Sequence, residues 1–306
     1  MGKRIAYVVD TVIVCGGMLV AFEHVKRLRE KGYDAFIVAD GGNIPEYNVP
    51  VKPMSVLNDF TDEDIIVSVW HPQVEKLTKL KGRKIQLSQD CIEDFPLIGH
   101  DVIENCRIAR RNPAWEMIAV SDYAGKWTGC DYTVIPNGIH ERFFKKLNIK
   151  RDIDILIEGS DDLNKGITEA FEIARTIPNL KIGWMAREIH EGEFERFTNP
   201  SRDMIPEIYQ RSKILIKCSN TEGFGLPHLE AMASGTLLLT YYSGGNTFCE
   251  NMKNCYAGQK EYLKRILEKV IKEGIDKDII KNAYATAQNY KWDNSITKLI
   301  NFYDRK

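Results

Sequence analysis

The chain reads as an α/β protein of two doubly wound domains, each a parallel sheet covered by helices on both faces. Three observations predict this. Short apolar, strand-like runs alternate with amphipathic stretches through the first half, and after a break at Pro136-Asn137-Gly138 the same alternation restarts. The length, 306 residues, is enough for two cores of ordinary size.

Taken in order, Ile5-Ala6-Tyr7-Val8-Val9 is a buried strand, and a loop ending in Gly16-Gly17 leads into an amphipathic helix from Met18 to Lys31 that Gly32 ends. Ala35 to Ala39 is the second strand. Further strands are expected at Ile65 to Trp70, Lys84 to Ser88, Met117 to Ser121 and Tyr132 to Ile135, with helices between most of them. A polar, basic segment from His140 to Asp152 marks the domain junction. Beyond it Ile153 to Glu158, Leu180 to Met185, Lys213 to Cys218 and Thr236 to Tyr241 are the strands of the second sheet. From Gln259 the periodicity is helical, with Tyr262, Ile266, Leu267, Val270 and Ile271 on one face. Trp292, Ile296, Leu299, Ile300 and Tyr303 are the apolar side of a last helix. The expected divisions are residues 1–138, 139–288 and a terminal helix over 289–306.

A composition 43% hydrophobic and 28% charged, with net charge −1, argues against disorder and against a general polyanion binder. The seven cysteines are odd in number and lack a Cys-x-x-Cys pair, which fits a reducing, cytoplasmic compartment. No apolar run approaches the roughly 20 residues of a membrane helix, and the N-terminus lacks a signal peptide's long apolar segment, so a soluble protein is expected. Arg142-Phe143-Phe144-Lys145-Lys146 and Lys26-Arg27-Leu28-Arg29 mix basic and apolar side chains, suiting either a solvated face or a peripheral membrane contact.

The most informative stretch is Asn220-Thr221-Glu222-Gly223-Phe224-Gly225-Leu226-Pro227-His228-Leu229-Glu230-Ala231-Met232-Ala233-Ser234-Gly235. It follows the apolar strand run Ile214-Leu215-Ile216, turns through glycines, and places Pro227 where a first helical turn tolerates it. Glu222 then lies in the loop and Glu230 on the helix. Backbone N–H groups at that helix start suit a phosphate, so the pattern fits a hydroxyl-rich phosphorylated ligand.

This stretch resembles the Glu-x7-Glu motif of the family 4 retaining glycosyltransferases, which have the GT-B fold of two Rossmann-like domains facing an interdomain cleft. The resemblance implies a nucleotide-sugar donor, with Glu222 at the donor sugar and its phosphate, Glu230 on the ribose hydroxyls, and the Gly223, Phe224, Gly225 and Leu226 backbone orienting the sugar. Gly16 and Gly17 match the family's N-terminal glycine pair near the donor phosphates and acceptor, although an ordinary tight turn would use the same residues. Lys165 in Asn164-Lys165-Gly166 resembles the lysine that neutralises the donor diphosphate; an exposed surface lysine is the plainer reading. In the resemblance the first domain is the acceptor side, the second binds the donor, and the terminal helix packs back on the first.

Two departures stand out. An Arg usually precedes that Lys, where this chain has Glu158-Gly159-Ser160-Asp161; Arg187 or Arg202 is a candidate to supply the charge from another loop. Family members often place a His after a central strand of the first domain, where this chain has Gln89-Asp90. That pair resembles a subset including rhamnosyltransferase-like proteins; Gln89 or Asp90 would bind sugar hydroxyls or orient an acceptor, or Asp90 would cap a helix. His71, beside Trp70 and Pro72, is a further cleft candidate. Ser243-Gly244-Gly245-Asn246-Thr247 matches a glycine-rich turn near the diphosphate and also suits an N-cap turn into a following helix.

The expected activity is hexosyltransferase-like: retaining transfer of a sugar from a nucleotide-sugar to an acceptor hydroxyl on a glycan, a lipid-linked sugar, a protein or a modified nucleic acid. The nucleotide-sugar is a substrate, and no cofactor is expected. No zinc-site spacing occurs, and metal independence, usual for the GT-B enzymes the chain resembles, is expected too. The alternatives are a nucleotide-sugar epimerase or hydrolase of the same fold, or a noncatalytic sugar-nucleotide-binding subunit.

Overall fold

The structure, a computed structural model, describes residues 3–91 and 98–305. Contacts divide the described residues into two compact units, one running to Asn137 and resuming at Asp293, the other Gly138–Trp292.

The first unit holds strands β1 (Arg4–Val8), β2 (Asp34–Val38), β3 (Val51–Lys52), β4 (Ile65–Ser68), β5 (Arg83–Ser88), β6 (Glu116–Ala119) and β7 (Thr133–Val134). All pair in parallel, in the order β3-β2-β1-β4-β5-β6-β7. Its helices are α1 (Gly16–Glu30), α2 (Val74–Thr78), α3 (His100–Arg110) and α4 (Asp122–Lys126). One core packs Ala6, Val8, Phe36, Val38 and Ile66 of the strands against Leu57, Phe60, Leu77 and Trp115.

The second unit holds β8 (Ile153–Glu158), β9 (Ile182–Ala186), β10 (Glu195–Thr198), β11 (Ser212–Lys217), β12 (Leu237–Thr240) and β13 (Tyr256–Ala257), parallel in the order β10-β9-β8-β11-β12-β13. Its helices are α5 (Ile167–Ala174), α6 (Ile205–Arg211), α7 (Leu226–Ala233), α8 (Lys260–Glu273) and α9 (Lys277–Gln288). Helix α10 (Trp292–Tyr303) follows, and from Asp293 onward it belongs with the first unit. There the Tyr303 hydroxyl meets the Tyr7 hydroxyl at 2.6 Å, and Tyr7 in turn meets His24 Nδ1 at 3.1 Å. Burial drives the His24 pKa down to about 3, so this inner polar group stays uncharged.

Several element boundaries correct the sequence expectations. The strand expected to reach Trp70 stops at Ser68, whose hydroxyl donates to the Trp70 carbonyl and turns the chain into a short 3-10 segment at His71–Gln73. Strands β3, β10 and β13 were not expected. β10 reads Glu-Arg-Phe-Thr and is an edge strand tied down by charge: Lys181 and Arg211 each bridge Glu195 to Asp152. The inward face of α8 is Leu263, Leu267 and Val270, with Tyr262 and Ile266 flanking it, while Ile271 points to solvent.

Candidate functional site

In the second sheet, β8 and β11 are neighbours whose connections leave in opposite directions, the point at which open parallel sheets create room for a ligand. Glu158 ends β8 and Lys217 ends β11. The loop after β8 carries Asn164 and Lys165 into α5, and the loop after β11 carries Thr221 and Glu222 into α7.

These two loops are bolted together. The buried Asn164 side chain accepts from the Thr221 backbone N–H at 3.0 Å and donates to the Thr221 carbonyl at 2.9 Å, and the Asn164 carbonyl accepts from Asn220 at 2.8 Å. Gly166 has φ +60°, and a side chain there would collide with the Cys218 carbonyl, so only glycine lets the start of α5 sit against the end of β11. On the other side Glu222 donates from its N–H to Ser243 and accepts from the N–H of Gly245, both at 2.9 Å. A Cβ on Gly245 would strike the Glu222 and Gly223 backbone. The Ser243–Thr247 loop therefore buttresses Glu222; no helix follows it until Lys260, which corrects the N-cap expectation.

The charges alternate. Lys165 Nζ lies 3.0 Å from Glu222 Oε1, Lys217 Nζ lies 3.5 Å from the same oxygen and 2.7 Å from Glu158 Oε2, and Lys217 also donates to the Glu158 carbonyl at 3.1 Å. Burial alone would push the Glu222 carboxyl up, but Lys217 and Lys165 outweigh it and hold it down to about 2. The Lys217 ammonium is 1% exposed; burial disfavours its charge, and Glu158 and Glu222 more than restore it, raising its pKa.

Along α7 the environment changes sign. Burial and the charge of Glu158 push the Glu230 carboxyl up to about 7, against the opposing charges of Arg202 and Arg142. The hydroxyl of the buried Tyr209 faces Glu230; burial, then the charges of Glu230 and Glu158, push its pKa well up. His228, in the first turn of α7, is fully buried, with Nε2 at 2.9 Å from Thr240 Oγ1 and 3.3 Å from Asn246 Nδ2. Burial takes its pKa down to about 4, so it is neutral at pH 7. The Phe224 side chain packs on Phe248 and Tyr290, which leaves its backbone as the part available to a ligand. Arg187 is exposed just beyond β9, while Arg202 lies near Glu230.

The first unit has a cavity of about 600 Å³ at its own switch point, between the carboxyl ends of β1 and β4. Gly17, His71, Gln89 and Asp90 all line it, beside Trp70 and Met18. Gln89 donates to the Gly17 carbonyl at 3.1 Å, and a Cβ on Gly17 would come within 3.1 Å of the Gln89 amide. Gly16, exposed, begins α1. Asp90 pairs with the buried Arg110 at 2.7 Å and caps no helix among the described residues; α3 starts after Gly99. Burial and then the Arg110 charge lower the His71 pKa, which keeps the imidazole neutral.

The two basic-apolar stretches spend their apolar side chains internally. Phe143 packs on Tyr209 and Phe144 on Tyr284, Arg142 pairs with Asp203 at 2.6 Å, Leu28 is buried, and Arg27 pairs with Glu23 at 2.6 Å. Among the described residues no helix is long and apolar enough to cross a membrane.

Residues missed by sequence reasoning are Lys217, Glu158 as its partner, Asn164 as the loop clamp, His228 and Tyr209. Lys217 alone carried a signal, a lysine closing an otherwise apolar strand run five residues before Glu222.

Residues 192–286 match the family described as Glycosyl transferases group 1. No curated protein matches the sequence. Among solved structures, Alr3699/HepE from Anabaena in complex with UDP and glucose is similar over 98% of this chain and 99% of its own, at 15% identity and a TM-score of 0.83. A glycosyltransferase from Rickettsia africae is similar over 99% and 98%, at 17% identity and a TM-score of 0.76. WaaG, a glycosyltransferase involved in lipopolysaccharide biosynthesis, is similar over 99% and 100%, at 13% identity and a TM-score of 0.74. The fold is thus α/β with two Rossmann-like parallel sheets, that of GT-B glycosyltransferases, and the match to the glycosyl transferases group 1 family falls on the second of them.

Proposed function

We propose that the chain is a metal-independent retaining glycosyltransferase that moves a hexose from a nucleotide-sugar, a UDP-sugar first among candidates, to an acceptor hydroxyl. The observation that carries this is the cluster Lys165–Glu222–Lys217 at the β8/β11 switch point, with Glu230 on the adjoining helix. The ligands of the Anabaena neighbour, UDP and UDP-glucose, support the choice of donor.

Glu230 binds the ribose hydroxyls, and Glu222 with the Gly223–Leu226 backbone orients the sugar. As the bond from the anomeric carbon to phosphate breaks, negative charge gathers on the diphosphate, and Lys165 with the N–H groups opening α7 stabilises it. The acceptor oxygen attacks from the same face and gives its proton to the departing phosphate oxygen. The acceptor binds in the cavity of the first unit, where Trp70 offers a flat apolar face and Gln89 and Asp90 offer polar atoms. We place the protein in the cytoplasm.

A melting-temperature screen of UDP-, GDP-, ADP- and dTDP-sugars tests the donor, because a ligand that binds only the folded state raises Tm. Turnover and the anomeric configuration of the product, read by NMR, then test retention. Inverted product would sink the retaining assignment, and complete donor conversion without acceptor would favour an epimerase or hydrolase. Donor binding with no turnover that Glu222→Ala alters would favour a noncatalytic subunit.

A further inference from the structure

We propose that Lys217 is a fixed second counter-ion for Glu222, which holds this carboxylate in place while Lys165 turns from it to the diphosphate of an arriving nucleotide-sugar. The inference rests on the donor-site reading above.

Three observations and one physical argument carry it. First, the two lysines contact one oxygen of Glu222 from opposite kinds of scaffold: Lys165 from a loop, with its side chain 28% exposed, and Lys217 from the end of a central strand, with 1% exposed. Lys165 has solvent to turn into. Lys217 does not, and its ammonium is also gripped by the carboxylate and the carbonyl of Glu158. Second, the Lys217 ammonium lies 3.3 Å from where a Cβ on Gly159 would stand, so it fills the space beside the turn after β8. That turn, Gly159-Ser160-Asp161, carries no cation of its own.

Third, among the described residues the charges that face Glu222 are few. Lys165 approaches from the α5 side, Lys217 from β11 and neutral His228 from α7, while Glu158 of β8 reaches it only through Lys217. Fourth, one lysine cannot serve both anions. A diphosphate brings about two negative charges next to a buried carboxylate, and once Lys165 moves to it, Glu222 without another cation would take up a proton or be pushed away. With Lys217 in place the chain of alternating charge shortens by one member and stays paired. Lys217 thus acts through Glu222 as a positioning residue.

The test begins without substrate, so that it does not depend on the donor reading. The Glu222 carboxyl is followed by carbon-13 NMR, assigned with Glu222→Gln, in the full chain and in Lys217→Met, Lys217→Arg and Lys165→Ala. Lys217→Met should raise the Glu222 midpoint by at least one pH unit and by more than Lys165→Ala does, and Lys217→Arg should bring it back. An unchanged midpoint in Lys217→Met, or a larger rise in Lys165→Ala, overturns the proposal. Should Lys217→Met fold poorly because Glu158 loses its partner, Glu158→Gln/Lys217→Met removes the stranded charge and the same shift is expected.

The kinetic arm uses donor turnover from pH 5 to pH 8. At saturating donor the wild-type kcat should be flat on its acid side, whereas Lys217→Met should lose about tenfold in kcat between pH 7 and pH 5, with a donor KM within threefold of the wild-type value at the same pH. A donor KM raised equally at all pH values, with no new acid limb, would mean that Lys217 binds donor directly and would overturn the proposal. If wild type turns over no nucleotide-sugar, the donor reading fails while the NMR result still decides the role of Lys217.

Discussion

Replacing Glu230 by glutamine should make the ligand-free protein more stable at pH 8 and at the same time loosen its hold on a nucleotide-sugar. Burial and the charge of Glu158 raise this carboxyl from 4.5 to about 7. A carboxyl raised in the fold is favoured in its protonated form. Below pH 4.5 the folded and unfolded states both hold the proton and nothing is lost. Between 4.5 and 7 the unfolded chain has released it and the folded one has not, so stability falls as pH rises, and above 7 the full cost of burying the charge is felt. At 1.36 kcal/mol per pKa unit that cost is at most about 3 kcal/mol. Glu230 retains some contact with solvent, so an expected gain of about 1–2 kcal/mol for Glu230→Gln is more realistic. In a chain of this size that is about 2–6 °C in Tm at pH 8, and close to none at pH 4.5. On the proposed role of Glu230 the same ionisation governs binding, because the carboxylate is the form that accepts two hydrogen bonds from the ribose diol. Donor affinity in wild type should fall about tenfold from pH 8 to pH 6, whereas the glutamine variant should bind about a hundredfold more weakly at pH 8 and show little pH dependence. Scanning calorimetry and donor titration at pH 8 and at low pH measure both halves. A variant that melts below wild type at pH 8, or that keeps full donor affinity there, would refute the reasoning.

Lys165→Ala should lower kcat by about 10²–10³-fold with a smaller change in donor KM, since its charge matters most as the diphosphate departs; an effect confined to KM would count against that role. Asn164→Ala removes the clamp between the loops of Lys165 and Glu222, and chemical denaturation should show a loss of about 1–3 kcal/mol together with a drop in kcat. Unchanged turnover in that variant would show that the clamp does not position Lys165. Trp70→Ala in the cavity of the first unit should raise acceptor KM about tenfold while the donor-induced rise in Tm persists, and loss of the donor shift instead would move the acceptor elsewhere.

How much of this was legible in the sequence depends on whether a feature belongs to one segment or to a pairing between segments. The runs Ile153–Glu158 and Lys213–Cys218 announced β8 and β11 nearly residue for residue, because central parallel strands are apolar on both faces. β10 was silent for the opposite reason: its polar Glu-Arg-Phe-Thr is held by four charges brought from Asp152, Lys181, Glu195 and Arg211, three of which lie outside the strand. The face of α8 was misread by one step, Ile271 for Leu263, since a run of Tyr, Leu, Ile and Val fits two overlapping stripes until a sheet chooses between them.

The site divides along the same line. Glu222, Lys165 and Glu230 stand in local patterns of glycine, proline and small helix residues, and a single segment suffices to single them out. Lys217 and Glu158 lie 59 residues apart in the chain, and neither has meaning until β8 and β11 are known to be neighbours at the strand order's turning point. A lysine at the end of a buried strand then becomes intelligible: the sheet order delivers it a carboxylate on one side, and the loop after its own strand delivers a second. Because Glu158 is already committed to Lys217, the ammonium can remain charged at 1% exposure before any ligand arrives. The turn Gly159-Ser160-Asp161 carries no cation, and Lys217 brings one beside it from the end of a central strand, where on the proposed reading it holds an acidic partner without competing with Lys165 for the diphosphate.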